Sequence, residues 1–471
     1  MHRYESRILV IKIFILVAGI GLIVGLWHHQ TKGIPPASSK QSATRNSVVA
    51  ARNELNRIYP FHEPPDQRRA YFGAAAGCHL IVVQLESFQN FLMNAALQGQ
   101  PLTPAMNQLS KESLYFPHVF QQIGIGNTSD AEFLSNTSMY PPGMFPSSSQ
   151  YGDRKIMSLA RILRNRGYRA NTFHVNDVTF WNRNQLYPAL GFDAYYDKAF
   201  FRRESFNRFG ASDEELFRVG IDKMVASDAC HEKFYSQFIT VSSHAPFTIP
   251  KEHRRLSLPQ DIKDRRLGDY LTAVNYADHA LGTFIRRLKE TGLWDKSVLV
   301  VYGDHFGLHK KYHQPEAISE WLGVPYHKQI STYNVPLIIH LPGQQQGKII
   351  RQSGGQIDIL PTLANIMGMK PDKEGLATFG HDLLNVEHNI VGMRYYLPTG
   401  SFINDDVLFI PGKKGFLDGE AVFIRTLKPV RDIQRYKLEY DYIIQWMNLS
   451  DRYAKQQPVR KDAQGGGKAE P

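Results

Sequence analysis

The sequence predicts an α/β protein, a mostly parallel sheet with helices on both faces, followed by a small C-terminal antiparallel subdomain. Three observations carry this. Five continuous apolar runs recur along the middle of the chain, "HLIVVQLES", "YRANTFHV", "SQFITVSSH", "SVLVVYGDH" and "VPLIIHLPG". Each has the length and composition of a strand buried on both faces. Between some of them lie segments with helical apolar spacing and recognisable ends. After about Asn385 the pattern changes to short stretches joined by tight turns.

In chain order, "ILVIKIFILVAGIGLIVGLW", Ile8 to Trp27, comes first. Twenty helical residues reach roughly 30 Å, one hydrocarbon core. Arg3 and Arg7 precede the run, which places the N-terminus in the cytoplasm and the rest outside. The competing reading is a cleaved signal peptide; no small-x-small cleavage site directly follows the run, which favours a retained single transmembrane helix. Residues 1–30 are therefore expected to be a cytoplasmic stub and anchor, and 31–75 a stalk rich in Pro, Ser, Gln and Lys, with a short helix at "NSVVAARNELNRI".

The main α/β domain is expected over 76–385. "SDEELFRVGIDKMV" opens with a capping box, Ser212 and Glu215. "YLTAVNYADHALGTFIRRLKETG" has helical apolar spacing and stops at Gly292, and "IDILPTLANIMG" reads as another helix. The antiparallel subdomain is expected over 386–450, ending in a helix around "YKLEYDYIIQWMNLSDRY", and 451–471 is expected to be a disordered tail. Cys78 and Cys230 have no zinc-like spacing; both are read as potential buried thiols, and a disulfide outside the cell is permitted but not required.

Composition narrows the partners. The chain has 471 residues, 42% hydrophobic and 21% charged, ordinary for a globular protein, and a formal net charge of +11. The positive charge is scattered, with no arginine-rich arm or aromatic-interleaved basic motif, so a membrane surface ranks above nucleic acid.

In open α/β sheets ligands gather beyond the carboxyl ends of the strands. The apolar runs end at Glu86, at Asp304-His305 and at His244. Singly, each has an ordinary explanation: a helix cap, a turn residue, a satisfied core histidine. Together at one sheet edge they form a donor set for a divalent ion. "QQIGIGNTSDAEF" places Thr128 after a Gly-rich loop at a helix start, where backbone N–H groups favour an anion. By itself Thr128 reads as a helix cap. Beside a metal its hydroxyl becomes an activated nucleophile.

These residues resemble a family. "VVQLESFQNF", "NTSDAEF", "FWNRNQLYPALGFDAYYD", "FITVSSHAPF", "VYGDHFG" and "GGQIDILPTLANIMG" resemble the lipoteichoic acid synthases, phosphoglycerol transferases of the sulfatase/alkaline phosphatase superfamily. The likeness runs from about Val82 to Gly368. It implies a sulfatase/alkaline phosphatase-like fold and one ion held by Glu86, Thr128, Asp304 and His305, manganese in the first instance and magnesium as the other candidate. It further implies Thr128 as nucleophile, His244 on the phosphoglycerol group, and Trp181, Arg183 and His174 around the headgroup. Without the family, Trp181 reads as core packing and Arg183 as a surface ion pair.

The implied donor is phosphatidylglycerol and the implied acceptor a glycolipid or growing polyglycerol phosphate. The expected location is the cell membrane, single-pass, with the catalytic domain outside. Two departures stand out. Asn127 occupies the place of a typical lysine, and one apolar run stands where family synthases carry several membrane helices, which bears on polymer synthesis more than on the single transfer step. His309 and His313 read as solvated loop histidines rather than extra ligands. The alternatives are a related sulfatase-superfamily hydrolase, a phosphoethanolamine transferase, or a non-catalytic ectodomain that binds wall polymer. A sulfatase needs Cys or Ser in a Cys/Ser-x-Pro-x-Arg context, and neither cysteine lies in one.

Overall fold

Strand β1, His79–Leu85, is buried along its whole length. Alternate residues enter different cores: Leu80 and Val82 join one apolar cluster, Ile81, Val83 and Leu85 the other. A continuous apolar run is thus explained by two covered faces, since successive side chains in a strand point in opposite directions. The computed structural model describes residues 37–59, 64, 68–202, 206–260, 262, 266–309 and 315–462. Two units separate, Met1–Asn46 and Ser47–Pro471. Of the first, the described part is the opening of the helix Ala37–Ile58.

The remaining strands, in order, are β2 Ala96–Leu97, β3 Gln100–Pro101, β4 Leu114–Phe120, β5 Arg169–His174, β6 Ala194–Tyr196, β7 Phe234–Ile239 and β8 Ser297–Gly303. They continue with β9 Asn334–His340, β10 Lys348–Ile349, β11 Gly354–Gly355, β12 Ile390–Met393, β13 Ser401–Asn404, β14 Val407–Gly412 and β15 Gly415–Phe423. The large sheet runs β10-β4-β9-β8-β1-β7-β5-β6, with β11 also on β4. All five predicted runs are strands of it. Only β9 runs against its neighbours, antiparallel to both β4 and β8. Strands β1, β4, β5, β7 and β8 therefore end at one edge.

One face is covered by helices that include Thr128–Thr137, Leu159–Asn165 and Ile359–Ile366, the other by Pro104–Lys111, Asp213–Ala229 and Arg266–Glu290. Of the expected capping box the first half is present, the Ser212 hydroxyl accepting from the Glu215 N–H at 3.2 Å, while Glu215 Oε1 takes the Arg202 N–H at 3.0 Å. The C-terminal sheet β12-β13-β14-β15 is antiparallel. It is covered by the helix Lys437–Lys455; Gly392 lets the two approach, since a Cβ there would lie 2.8 Å from Ile443 and Met447.

Three sequence expectations change. The stretch read as stalk contains a 22-residue helix, Ala37–Ile58. From Ser47 onward it belongs to the large unit: Val48 is in the core, and Arg52 donates to the Thr378 carbonyl at 2.6 Å. The stretch read as a tail is ordered through 462. The last helix reaches Lys455, the Lys155 N–H bonds the Pro458 carbonyl at 2.7 Å, and Arg460 donates to the Asp153 carbonyl at 2.8 Å. The short helix expected at "NSVVAARNELNRI" is present but begins earlier, and its packing, like the order of the tail, depends on partners far along the chain. Both cysteines are free, but Cys230 is exposed and only Cys78 is partly covered. No described helix is long and apolar enough to cross a membrane. The run Ile8–Trp27, His313 and residues 463–471 lie outside the described residues.

Candidate active site

Glu86 follows β1 and Asp304 follows its neighbour β8, in register through Leu85 and Gly303. Parallel pairing alone therefore brings the two carboxylates side by side. Both are buried. Glu86 Oε1 accepts from the Ser87 hydroxyl at 2.6 Å, and Oε2 accepts from the Thr128 hydroxyl at 3.1 Å. Asp304 Oδ1 accepts from the Ser87 N–H at 2.7 Å and the His305 N–H at 2.6 Å. Its other oxygen, Oδ2, is buried with no hydrogen-bond partner among the described residues.

His305 closes the group. Its Nδ1 lies 3.0 Å from the Phe306 carbonyl, which can only accept, so the proton sits on Nδ1. Nε2 is then the ring atom that faces the carboxylates, 3.5 Å from Glu86 Oε1 and 3.5 Å from Asp304 Oδ2. One ligand atom from each of the three lies within 4.8 Å of the others.

Burial opposes the charge of Glu86, but His305, His244 and hydrogen bonds from Ser87 and Thr128 outweigh it and hold Glu86 below the ordinary carboxylate range. Asp304 goes the other way. Burial and the adjacent Glu86 charge push it well above. Two abutting buried carboxylates, one with an orphaned oxygen, beside an imidazole nitrogen and a hydroxyl, fit a divalent cation. Its charge would offset the Glu86 repulsion that pushes Asp304 up.

Thr128 is carried in from β4, a strand the sequence reading missed because Pro117 interrupts its apolar run. It is the first residue of the helix Thr128–Thr137; the cap position belongs to Asn127, at φ 42°. The expectation that the glycine loop gathers free amides is corrected in part. Asp130 Oδ2 takes the N–H groups of Gly124 and Gly126, each at 3.0 Å, and Asn127 and Ser129 bond within the loop. The Thr128 N–H is left without an acceptor among the described residues. The glycines serve close approach. A Cβ on Gly126 would lie 2.5 Å from the Asp130 carboxylate, and one on Gly124 would lie 2.6 Å from Gly143.

Of the other implied residues, His244, His174 and Arg183 lie within electrostatic reach of Glu86. His244 is half-buried, its Nδ1 2.7 Å from the Ala245 carbonyl and its ring on Phe209. His174 ends β5 with Nδ1 2.9 Å from the Ile239 carbonyl. Burial and the Arg183 charge push its pKa down to about 3, so it is neutral. Arg183 is no surface ion pair. It is 1% exposed, and Nε and Nη2 donate to Glu132 Oε1 at 2.8 and 2.7 Å. Burial works against its charge, but Glu132 and more distantly Glu86 outweigh it and hold the pKa above the ordinary value. Trp181 is not core packing either: it is half-buried at φ 57° and meets Phe180 edge-on. His309 is half-buried against Phe306, outside the metal-competent trio.

A family model described as Sulfatase matches residues 79–369. The chain is 34% identical over 402 residues to the lipoteichoic acid synthase-like YvgJ of Bacillus subtilis, covering 84% of this chain and 62% of that protein. It is 30% identical over 412 residues to the lipoteichoic acid synthase of Staphylococcus saprophyticus, covering 85% and 61%. Among solved structures, the lipoteichoic acid synthase LtaP from Listeria monocytogenes superposes with a TM-score of 0.82 at 37% identity, over 87% of this chain and 99% of that one. The chain belongs to the lipoteichoic acid synthase family. It spans about three-fifths of the length of the curated relatives named above, 62% and 61%.

Within this lipoteichoic acid synthase fold, several residues that shape the site escaped the sequence reading. Glu132 lay inside the quoted motif "NTSDAEF", one turn past Thr128, yet only the fold shows it on Arg183. Gln84 donates to the Thr128 carbonyl at 3.0 Å, and Gln356 donates to the Asp304 carbonyl at 2.6 Å. Tyr396, from the C-terminal subdomain, donates to Asn127 Oδ1 at 2.5 Å and packs edge-on against Phe306. Glutamine and tyrosine in apolar surroundings carry no sequence signal for such a role.

Proposed function

We propose that the chain is a membrane-anchored phosphoglycerol transferase facing outward, with Thr128 as nucleophile and phosphatidylglycerol as donor. The observation that carries this reading is the Thr128 hydroxyl, 3.1 Å from Glu86 Oε2 and beside the Glu86–Asp304–His305 trio with its orphaned Oδ2. A divalent ion, manganese in the first instance, held by Glu86, Asp304, His305 and Thr128, would supply charge that lowers the hydroxyl pKa and neutralises phosphate oxygens.

In the first half-reaction Thr128 Oγ1 bonds to phosphorus and the bond from phosphorus to the diacylglycerol oxygen breaks. The threonine proton leaves along the hydrogen bond toward Glu86. Diacylglycerol needs one proton on its departing oxygen; with Nδ1–H committed to the Ala245 carbonyl, His244 would give it from Nε2–H as the imidazolium and be left neutral to act as base in the second half-reaction. Arg183, fixed by Glu132, holds phosphate oxygens or the headgroup, with Trp181 and neutral His174 beside it. In the second half-reaction an acceptor hydroxyl attacks the same phosphorus and gives its proton to His244, the bond from phosphorus to Thr128 Oγ1 breaks, and Oγ1 takes back the proton it had passed toward Glu86. The acceptor is a glycolipid or polyglycerol phosphate end. The run Ile8–Trp27 anchors the chain.

The test is mass spectrometry of Thr128 after incubation of the full chain with phosphatidylglycerol vesicles and manganese. A glycerophosphate adduct on Thr128 is expected, with diacylglycerol released. Thr128→Ala should release none, and Thr128→Ser should retain part of the activity. Release at the parent rate by Thr128→Ala would refute the covalent mechanism.

A further inference from the structure

The loops that build the site also carry a set of apolar side chains turned to solvent. Met144 is 69% exposed and Phe145 63%, adjacent in sequence. Ile125, Phe180 and Tyr395 are exposed as well. Singly exposed apolar residues are ordinary, but these come from four loops that touch in sequence. Ile125 N–H bonds the Gly143 carbonyl at 2.9 Å, immediately before Met144. A Cβ on Gly143 would lie 3.6 Å from Arg394, the neighbour of Tyr395. Asn182 donates to the Ser148 carbonyl at 2.9 Å, joining the Phe180–Asn182 turn to the residues that follow Phe145.

The loop bearing Met144 and Phe145 is held in place. Pro141, Pro142 and Pro146 restrict its backbone. Asp130 ties it to the nucleophile: Oδ1 takes the Ser147 N–H at 2.8 Å while Oδ2 takes the N–H groups of Gly124 and Gly126. One buried carboxylate thus sets the height of the apolar rim relative to Thr128.

We propose that this rim seats in a bilayer containing anionic phospholipid, with Met144 and Phe145 entering the acyl region and the Thr128 mouth facing the headgroups. The inference rests on the phosphoglycerol-transfer reading. The reactant phosphorus of a two-chain lipid must reach the hydroxyl of a residue that is only 5% exposed, while its acyl chains stay out of water. A rim docked on the membrane meets both demands. The net charge of +11 draws the chain to an anionic surface.

The test compares two donors with the full chain in vesicles: long-chain phosphatidylglycerol in the bilayer, and dihexanoyl-phosphatidylglycerol below its micelle concentration. Met144→Ser with Phe145→Ser should lower turnover of the bilayer donor by roughly tenfold, since two apolar anchors are lost, and leave the soluble donor's rate unchanged. Equal rates of parent and variant on the bilayer donor, or equal losses on both donors, would overturn the rim. A parent inactive on both donors would instead refute the transfer reading.

A readout independent of activity uses Met144→Cys in a Cys78→Ser, Cys230→Ser background, labelled with an environment-sensitive fluorophore. Bilayer insertion predicts quenching by brominated acyl chains. Absence of quenching, or disulfide cross-linking between two Met144→Cys copies in its place, would overturn the proposal.

Discussion

The Arg183–Glu132 pair offers a quantitative test of how the site is held. Both side chains are buried, at 1% and 0% exposure. Replacing Glu132 by methionine keeps the helix and much of the volume but leaves a guanidinium buried without its counter-charge. Removing one partner of such a pair costs about 3–5 kcal/mol. The lower end applies here, because Nε and Nη2 share the single acceptor Oε1 and Oε2 has no hydrogen-bond partner among the described residues. With an unfolding entropy of about 2.1 cal/mol/K per residue, a unit of this size loses about 3–4 °C in Tm for 3 kcal/mol. Glu132→Met should melt lower by that amount. The double variant Glu132→Met, Arg183→Met should recover most of it, giving a coupling of at least about 2 kcal/mol. Calorimetry of the four proteins is the assay, with kcat measured in parallel. Glu132→Met should lower kcat although it touches no substrate, because it frees the guanidinium. Simple additivity of the two single losses, or Glu132→Met within about 1 °C of the parent, would refute the reasoning.

Asp304→Asn should lose the metal, read by elemental analysis, yet chelated Asp304→Asn should melt no lower than chelated parent, because the repulsion from Glu86 is gone. Gly126→Ala places a Cβ 2.5 Å from the Asp130 carboxylate, so it should cost about 1–3 kcal/mol by thermal melting and displace Thr128 two residues on, with loss of turnover. Asp278 accepts the Ala105 and Met106 N–H groups, and burial pushes its pKa up to about 7. Between about pH 4 and 7 the unfolded chain has released this proton while the folded protein keeps it. Stability should therefore fall as pH rises through that window, by at most about 1.4 kcal/mol per pH unit, and Asp278→Asn should flatten that part of the profile.

The sequence by itself determined the parts of this protein that depend on local pattern. Five strands announced themselves, since burial on both faces demands an unbroken apolar run. The ends of those runs led to Glu86 and Asp304, since parallel strands deliver their C-terminal residues to one edge. The long motifs led to the family. Tertiary structure decided what depends on distant partners. Strand β4 is hidden by Pro117 and visible only by its pairing with β9. The polar helix Ala37–Ile58 packs from Ser47 onward because Thr378 and its neighbours meet it, and the chain near Val459 is ordered because Arg154 bridges to it. Thr128 looked like a helix cap and is the first helical residue, while the cap position fell to Asn127, whose side chain bonds Tyr396 instead of capping. Arg183 looked like a surface charge and is buried on Glu132, 51 residues earlier. A pattern within a dozen residues records which faces are apolar. It holds no record of which remote carboxylate meets a buried charge, and that pairing sets the geometry around Thr128.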